Sequence, residues 1–222
     1  MATQATAPLT PPHEGSPDNL YHVKRYFWYP TPNHTNSVLQ PSIRGTFASL
    51  PAAKKFASQA LADEGYQPGQ FQDLQLRRDS GTEWTFGDDV MVYAKTIEEG
   101  TVTVELETTP NRVGKLSLEG PDERVKDSLY FLVQTVIDYS RDWSVGSRRT
   151  IVEGVFRTVE EAKEKAFDIL LEANGEISRS DFAEYSENRG QDDWEFDDNV
   201  LVHAVGQNGL NFLVAIVKGG EP

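Results

Sequence analysis

The chain contains one segment twice, first as Trp84-Thr85-Phe86-Gly87-Asp88-Asp89-Val90-Met91-Val92-Tyr93-Ala94 and again as Trp194-Glu195-Phe196-Asp197-Asp198-Asn199-Val200-Leu201-Val202-His203-Ala204. Six of the eleven positions are identical, and the two copies align without a gap. Chance matches at about one position in twenty do not explain this identity, so the pattern indicates a tandem repeat.

Related residues in the two copies lie 109 to 111 positions apart, as Gly45 and Gly154 illustrate. The linking segment is rich in Pro and Gly and has balanced charge, which is typical of a connection between units. The alignment predicts a flexible leader at 1–19, a first unit at 20–107, a linker at 108–128, a second unit at 129–217 and a tail at 218–222.

Each unit is predicted to run strand, strand, helix, strand, strand, because β-branched and aromatic runs flank one helical pattern. The expected opening strands are 22–29 and 43–47 in the first unit and 130–139 and 152–156 in the second. The residues around Phe71 and Phe182 are expected to be short extended pieces. The closing strands alternate apolar and polar residues, and Gln207-Asn208-Gly209 has the character of a tight hairpin turn.

Capping signals predict the limits of the helices. In the second unit, Thr158 and Glu161 form a capping box and Asn174-Gly175 supplies a left-handed stop. In the first unit, the corresponding signals are Ser49 as the cap, Pro51 in the first turn and Gly65 at the end. Gly45 and Gly154 are expected to let the helix or a neighbouring strand come near.

In the second unit both faces of the predicted sheet are apolar, as the run Phe212-Leu213-Val214-Ala215-Ile216-Val217 illustrates. One helix covers one face, so the other unit is the natural cover for the second face. The expected fold is therefore α+β, with two tandem ββαββ units, each a four-stranded antiparallel sheet with one helix, packed as a pseudo-two-fold pair.

Composition excludes several classes of function. The chain has 35 acidic and 21 basic residues, a net charge of -14, and no basic stripe, so nucleic acid is not an expected partner. Because cysteine is absent, thiolate catalysis and Cys-ligated metals are excluded. No stretch approaches the eighteen apolar residues of a membrane span, and the start of the chain does not read as a signal peptide, so a cytoplasmic protein is expected.

No motif predicts a metal or a cofactor. The four histidines have no metal-ligand spacing, and the aspartates around Asp192-Asp193 and Asp197-Asp198 lack the spacing of a calcium loop. Glycine-rich phosphate loops and the Gly-x-Ser-x-Gly elbow are also missing. We therefore expect neither a metal nor a cofactor.

The repeated aromatic pairs Trp84/Phe86 and Trp194/Phe196 could line a pocket, but the favoured interpretation is that they plug one end of each core, since packing requires the same residue in both units. Similarly, Asp88 and Asp198 could be ligands or acids, but are interpreted as turn carboxylates that accept backbone N–H bonds.

Positions at which the units differ are more informative for function, because a shared scaffold explains only agreement. They include the tyrosine–histidine difference at one strand position, the Pro-rich loop at 30–41 replaced by an arginine-containing loop, and the aromatic end of the first strand. If a ligand cleft lies between the units, the candidate lining residues are Trp28, Tyr29, Tyr93, Arg148, Arg149 and His203. Ordinary drift after duplication is the alternative.

The second unit resembles a group of small, uncharacterised tandem-repeat proteins of filamentous fungi. The resemblance rests on the run 129–139, on Val152-Glu153-Gly154-Val155-Phe156, on the helix after Thr158 and on the Trp194-x-Phe-x-Asp pattern, and it extends to both units. It implies an intracellular fungal protein, and it carries over no activity and no functional residue.

Two functions from different classes are compatible with these observations. The first is a non-catalytic binding or interaction protein whose ligand is a protein partner or a small molecule. The second is a cofactor-independent enzyme of the isomerase, lyase or cyclase type, with His203 or an aspartate as general acid or base in the cleft between the units. A deep, closed pocket that holds a carboxylate of raised pKa or the His203 ring favours the enzyme, whereas a shallow, wide acidic surface favours the binding protein.

Overall fold

The computed structural model is an α+β fold with mostly antiparallel sheets, and it has two α-helices within the residues that it describes. Those residues are 16–28, 41–77, 84–97, 100–140, 147–171, 176–190 and 192–220. The predicted fold class, α+β with antiparallel sheets, is confirmed.

The first half contains β1 (Asn19–Trp28), β2 (Ser42–Phe47), α1 (Leu50–Asp63), β3 (Phe71–Leu76), β4 (Val90–Thr96) and β5 (Thr101–Pro110). The segment between the halves forms the short strands β6 (Leu118–Glu119) and β7 (Arg124–Val125). The second half contains β8 (Tyr130–Asp138), β9 (Ser147–Phe156), α2 (Val159–Ala166), β10 (Phe182–Glu187), β11 (Val200–Gly206) and β12 (Asn211–Lys218).

The first sheet has the order β3-β4-β5-β1-β2-β7-β6, and the second has the order β10-β11-β12-β8-β9. The prediction of two four-stranded ββαββ sheets is therefore wrong. The pieces around Phe71 and Phe182 are the edge strands β3 and β10, and the hairpin of β6 and β7 adds two more strands to the first sheet.

The two sheets share their irregularities as well as their strand order. Register shifts occur between Val23 and Lys24 in the first half and between Leu132 and Val133 in the second. Two more pairs of shifts correspond in the same way, at Phe71/Asp73 with Phe182/Glu184 and at Val90/Val92 with Val200/Val202. A bulge bends a strand locally, so matched bulges give the two sheets matched curvature.

Helix α1 lies on the first sheet through small residues. Ala53 and Ala57 are fully buried, and Leu61 is buried beside them, as their spacing of four predicts. Ser49 is the N-cap residue, but its side chain makes no capping hydrogen bond. Gly65 ends the helix in the left-handed region, with φ of 92°.

Helix α2 is shorter than the sequence suggests. The predicted capping box is confirmed, because the Glu161 N–H donates to Thr158 Oγ1 and the Thr158 N–H donates to Glu161 Oε2, both at 3.3 Å. The helix ends at Ala166 and continues as turns. The predicted stop at Asn174-Gly175 lies outside the described residues.

The buried residues form three layers. One apolar cluster lies between α1 and the first sheet, and another lies between α2 and the second sheet. The third covers the opposite face of the second sheet, where Ile43 of β2 packs with Phe131 and Val155. The second sheet is therefore apolar on both faces, as predicted, and the first half supplies part of its cover.

Gly45 and Gly154 leave room for aromatic rings of their own strands. A Cβ atom at Gly154 would lie 2.9 Å from the Phe156 ring, and one at Gly45 would lie 2.9 Å from the Phe47 ring. The glycines are needed because a ring two residues further along folds over them, so the predicted close approach of a helix or neighbouring strand is not the main reason.

Candidate functional site

A pocket of about 830 Å³ opens between the two sheets, and residues of both halves line it. We call it the inter-sheet pocket. From the first sheet it is lined by side chains of β1 and β5 together with the turn before β4, and from the second half by the start of β9. The aromatic and polar side chains that line it are Lys24, Tyr26, Trp28, Phe86, Asp88, Asp89, Thr103, Glu105, Glu107, Arg148 and Arg149, among others.

Lys24 forms the polar floor of this pocket. Strand alternation turns Lys24 away from α1 and toward the second sheet, where it is buried. Its Nζ lies 2.9 Å from Glu107 Oε2 and 3.5 Å from Glu105 Oε2. One cation therefore holds two carboxylates that stand two residues apart on the neighbouring strand β5.

The same group joins the two sheets. Strand β9 is an edge strand of the second sheet, so its outward backbone groups have no partner strand in the part of the chain that the structure describes. Lys24 Nζ donates to the Thr150 carbonyl oxygen at 2.9 Å, and the Val152 N–H donates to Glu107 Oε1 at 2.8 Å. Two side chains of the first sheet thus provide the donor and acceptor that a further strand would provide.

Burial changes the acidity of these groups. It would by itself lower the pKa of Lys24, but the adjacent Tyr26, Glu107 and Glu105 raise that pKa above its ordinary value. Burial also raises the pKa of Glu105, and the charge of Lys24 only partly opposes this effect. The pocket therefore contains a carboxyl group that holds a proton more readily than an exposed glutamate does.

Tyr26 lies beside Lys24, two residues further along β1. Its hydroxyl donates to the Thr150 carbonyl oxygen at 3.3 Å, and Lys24 Nζ lies 5.5 Å from the centre of its ring. Burial raises the pKa of Tyr26, so the phenol is protonated near neutral pH. Its single O–H donor is used by the Thr150 carbonyl oxygen, so Tyr26 presents an aromatic surface to the pocket.

A second wall is aromatic and held rigidly. Phe86 stacks on Tyr93 with ring centres 4.1 Å apart, and the Trp84 ring meets Phe86 edge-on at 5.0 Å. Trp84 Nε1 donates to the Gly87 carbonyl oxygen at 2.9 Å, which fixes the indole. The Phe86 ring is therefore placed before any ligand arrives.

Two adjacent arginines stand at the start of β9, on the second half's side of the pocket. Arg148 is half-buried and Arg149 is exposed. The Arg148 Nε atom is buried and has no hydrogen-bond partner among the described residues. A buried donor without a partner is costly to the fold.

The structure brings together three of the six predicted lining residues: Trp28, Arg148 and Arg149. Tyr93 supports the pocket indirectly, behind Phe86. His203 lies at the corresponding position of the second half, 4.7 Å from the Phe196 ring, and is not among the pocket-lining residues. Tyr29 lies outside the described residues.

The repeated aromatic pairs have different surroundings in the two halves. Trp194 and Phe196 pack against the apolar cluster on the inter-sheet face of the second sheet, whereas Phe86 lines the pocket. Asp88 is in a turn, as predicted, but no hydrogen bond to its carboxylate is seen among the described residues, and it also lines the pocket. Trp194 and Phe196 therefore serve packing in the second half, whereas the pocket-wall interpretation describes Phe86.

The polar floor was not predicted from the sequence, because only an alternation of apolar and polar residues was recognised in the strand that contains Glu105. Alignment of the units contains the signal. Lys24 corresponds to Val133, and Thr103, Glu105 and Glu107 correspond to Leu213, Ala215 and Val217. Because these residues share one face, the two sheets differ most in polarity on the sides that they turn toward each other.

His22 belongs to the same face and is fully buried. Its Nδ1 lies 3.0 Å from Thr46 Oγ1, its Nε2 lies 2.8 Å from Thr109 Oγ1, and the Phe131 ring meets it edge-on at 5.1 Å. Burial, with a smaller contribution from the charge of Lys24, lowers the pKa of His22 to about 3. The imidazole is therefore neutral at physiological pH and part of the packing.

Within the described residues, no three histidine, aspartate or glutamate side chains are grouped closely enough to hold a metal ion. The helices of that part of the chain are too short or too polar to cross a membrane. No protein-family model, curated protein or solved structure matches this chain. The resemblance to the fungal group therefore stays a prediction, and a function can be proposed only from the residues of the pocket.

Proposed function

We propose that this protein binds a small molecule in the inter-sheet pocket. The observation that carries the proposal is a space of about 830 Å³ that is lined by aromatic side chains and by polar groups. Ligand sites are typically clefts of roughly 300 to 1,000 Å³ with a few placed polar groups on an otherwise apolar lining. A small-molecule site thus accounts for the pocket better than a wide acidic docking surface does.

The contrast between the two halves supports the proposal. The residues of the second half that correspond to Lys24, Glu105 and Thr103 are Val133, Ala215 and Leu213, and all three are buried in an apolar cluster. An apolar filling is therefore compatible with this fold. Packing alone does not account for the charged floor and open space on the first sheet.

We also infer that the two halves are duplicated units that pair about an approximate two-fold axis. Matched strand order and matched bulges support this inference. The contacts between the halves are reciprocal, because β5 approaches β9 while β12 approaches β2. On this interpretation the pocket lies at a boundary between homologous units, where binding sites commonly form.

Binding can be tested by equilibrium dialysis of the full chain against a mixture of cellular metabolites, followed by mass spectrometry of the retained compounds. The variant Thr103→Trp places an indole inside the pocket, and Trp is well accepted in strands. Gln75→Trp, on the exposed edge strand β3, is the matched control. We expect the wild type and the control to retain the same compounds, and Thr103→Trp to lose them.

The proposal fails if the wild type retains no compound, or if the pocket-filling variant retains the same compounds as the control. Circular dichroism and melting temperatures of all three proteins are compared first. This comparison establishes that a loss of binding by Thr103→Trp is not a loss of fold.

A second candidate function is acid–base catalysis without a cofactor, and Glu105 is the observation that favours it. Its carboxyl group lies in the pocket, burial raises its pKa, and Thr103 Oγ1 donates to Glu105 Oε1 at 3.4 Å. A carboxyl group whose pKa is raised keeps its proton to a higher pH than an exposed glutamate, which suits it to donate a proton to a substrate. Glu105 thus takes the place for which His203 or an aspartate was expected.

This candidate is tested on the compounds that the wild type retains. Each compound is incubated with wild-type protein and with Glu105→Gln, and the mixture is analysed for conversion to an isomer or elimination product. Catalysis predicts conversion by the wild type and a loss of at least about a hundredfold in the variant, since general acid–base groups contribute about that much or more. Unchanged compounds, or equal conversion by both proteins, would leave binding as the function.

A further inference from the structure

We infer that the ligand of the inter-sheet pocket is a small organic anion that carries an aromatic ring, an inference that rests on the proposed binding function. Arg148, on the same face of β9 as Thr150 and Val152, would hold the anionic group, and Arg149 would add positive charge beside it. Phe86 and Trp28 would contact the ring. The following observations lead to this ligand class.

The cations of the pocket are not equivalent. The Lys24 ammonium is already engaged by Glu107, Glu105 and the Thr150 carbonyl oxygen. Neither Arg148 nor Arg149 forms an ion pair with a carboxylate of the described residues. The positive charge available to a ligand is therefore at the start of β9, not at the pocket floor.

Arginine chemistry then selects the ligand group. A guanidinium presents its donors in a planar fork that matches a carboxylate or phosphate, and such charge-assisted bonds are stronger than neutral ones. Arg148 lines the pocket and is half-buried, so its guanidinium lies in a partly desolvated place where a charge-assisted bond is stronger than in water. An anionic group at this position would neutralise a positive charge that has no carboxylate partner among the described residues.

The ring preference follows from the opposite wall. Phe86 is fixed between Tyr93 and Trp84 and lines the pocket, so its contact surface needs no reorganisation on binding. Trp28 lines the pocket from the end of β1. Aromatic rings favour offset or edge-on contacts with other rings, and a preorganised wall lowers the entropic cost of binding.

The acidic groups of the pocket restrict the ligand further. Asp88, Asp89 and Glu105 line the same space as the two arginines. A ligand whose anionic group lay next to these carboxylates would be repelled, so its negative charge must be confined to the arginine end. Hydroxyl or amide donors on the remainder of the molecule would be favourable there.

A matched series of three compounds tests the inference with the full chain by isothermal titration calorimetry. Indole-3-acetate, indole-3-acetamide and tryptamine share one ring and carry a negative, a neutral and a positive group. We expect the acetate to bind about tenfold or more tightly than the amide, and tryptamine to bind most weakly, because one charge-assisted hydrogen bond accounts for about that factor.

The double variant Arg148→Gln/Arg149→Gln should bind the acetate no more tightly than the amide. The control Arg112→Gln removes an exposed arginine outside the pocket and should leave all three affinities unchanged. In addition, Phe86→Leu should weaken the acetate and the amide by the same factor. Melting curves of each variant establish that it is folded before the titrations are compared.

Three outcomes would overturn the inference. The first is equal or tighter binding of the amide or the amine, and the second is an acetate affinity that the double arginine variant does not change. Either result would leave a small-molecule pocket with a different ligand class. The third is no binding of any of the three compounds; the proposed function would then depend on the dialysis experiment with Thr103→Trp alone.

Discussion

Lys24 Nζ and Glu107 Oε2 lie 2.9 Å apart between the two sheets, and each of these side chains also binds the backbone of β9. The ion pair thus has two roles: it neutralises charge in a poorly solvated space, and it completes the hydrogen bonding of an edge strand. The stability of the interface should therefore depend on the pair as a unit.

The first prediction concerns this pair. Lys24→Met leaves two carboxylates without their cation, and we expect a loss of about 3 to 5 kcal/mol in the free energy of unfolding. Lys24→Met/Glu107→Gln removes both charges and should cost clearly less than the sum of the two single changes. Urea unfolding of the four proteins measures the coupling, and additive losses would contradict the role of the pair.

The second prediction concerns pH. The pKa of His22 is lowered from 6.5 to about 3 in the folded protein. His22 is therefore protonated below about pH 6.5 in the unfolded chain, but only below about pH 3 in the folded chain. The stability from neutral His22 is complete above pH 6.5 and is lost as pH falls toward 3, by up to about 1.4 kcal/mol per pH unit.

This component can be isolated with His22→Phe, which introduces the residue found at the corresponding position 131. Urea unfolding at several pH values between 7 and 4 gives the slope for each protein. The wild type should lose stability more steeply on acidification than the variant, whatever their difference at pH 7. Parallel curves would show that His22 is not protected from protonation.

The third prediction concerns Gly154. An alanine methyl group at this position would lie 2.9 Å from the Phe156 ring, so Gly154→Ala should destabilise the protein by about 1 to 3 kcal/mol. Phe156→Leu in the same chain should reduce the additional cost of the alanine. Gly69→Ala is the control, because a Cβ atom there meets no atom within 4 Å.

The fourth prediction compares the two helix caps. Thr158 accepts a hydrogen bond from the Glu161 N–H, whereas the Ser49 side chain makes no capping hydrogen bond. Thr158→Ala should therefore cost about 1 kcal/mol, and Ser49→Ala should cost clearly less. Thermal unfolding of the two variants measures the difference, and equal losses would mean that the Ser49 hydroxyl also caps its helix in solution.

The fold class could be predicted because local signals agree with the tertiary structure. The Thr158 capping box, the buried face of α1 and the hairpin at Gly209 all occur where the sequence indicated. The edge strands β3 and β10 could not be recognised in the same way. Bulges after Phe71 and Phe182 break the period-two alternation, and both strands lie at a sheet edge with mostly exposed or half-buried residues.

The candidate site could be predicted in part. Differences between the units pointed to Trp28, Arg148 and Arg149, and all three line the pocket. Lys24 and Glu105 were overlooked because a charged face in an alternating strand has the same pattern as a solvated one. Only the position of the other sheet distinguishes a buried polar face from an exposed one, and a single strand does not contain that information.

The unequal faces of the two sheets make the halves complementary rather than interchangeable. Two copies of the first half would bury two clusters of Lys24, Glu105 and Glu107 in one interface. Two copies of the second half would leave the outer backbone groups of β9 without the side chains that cap them. If the polypeptide were cut between residues 110 and 118, the fragments should reassemble as a mixed pair, and neither fragment should form a homodimer in its place. The covalent tether thus fixes a one-to-one stoichiometry that the surfaces themselves already favour.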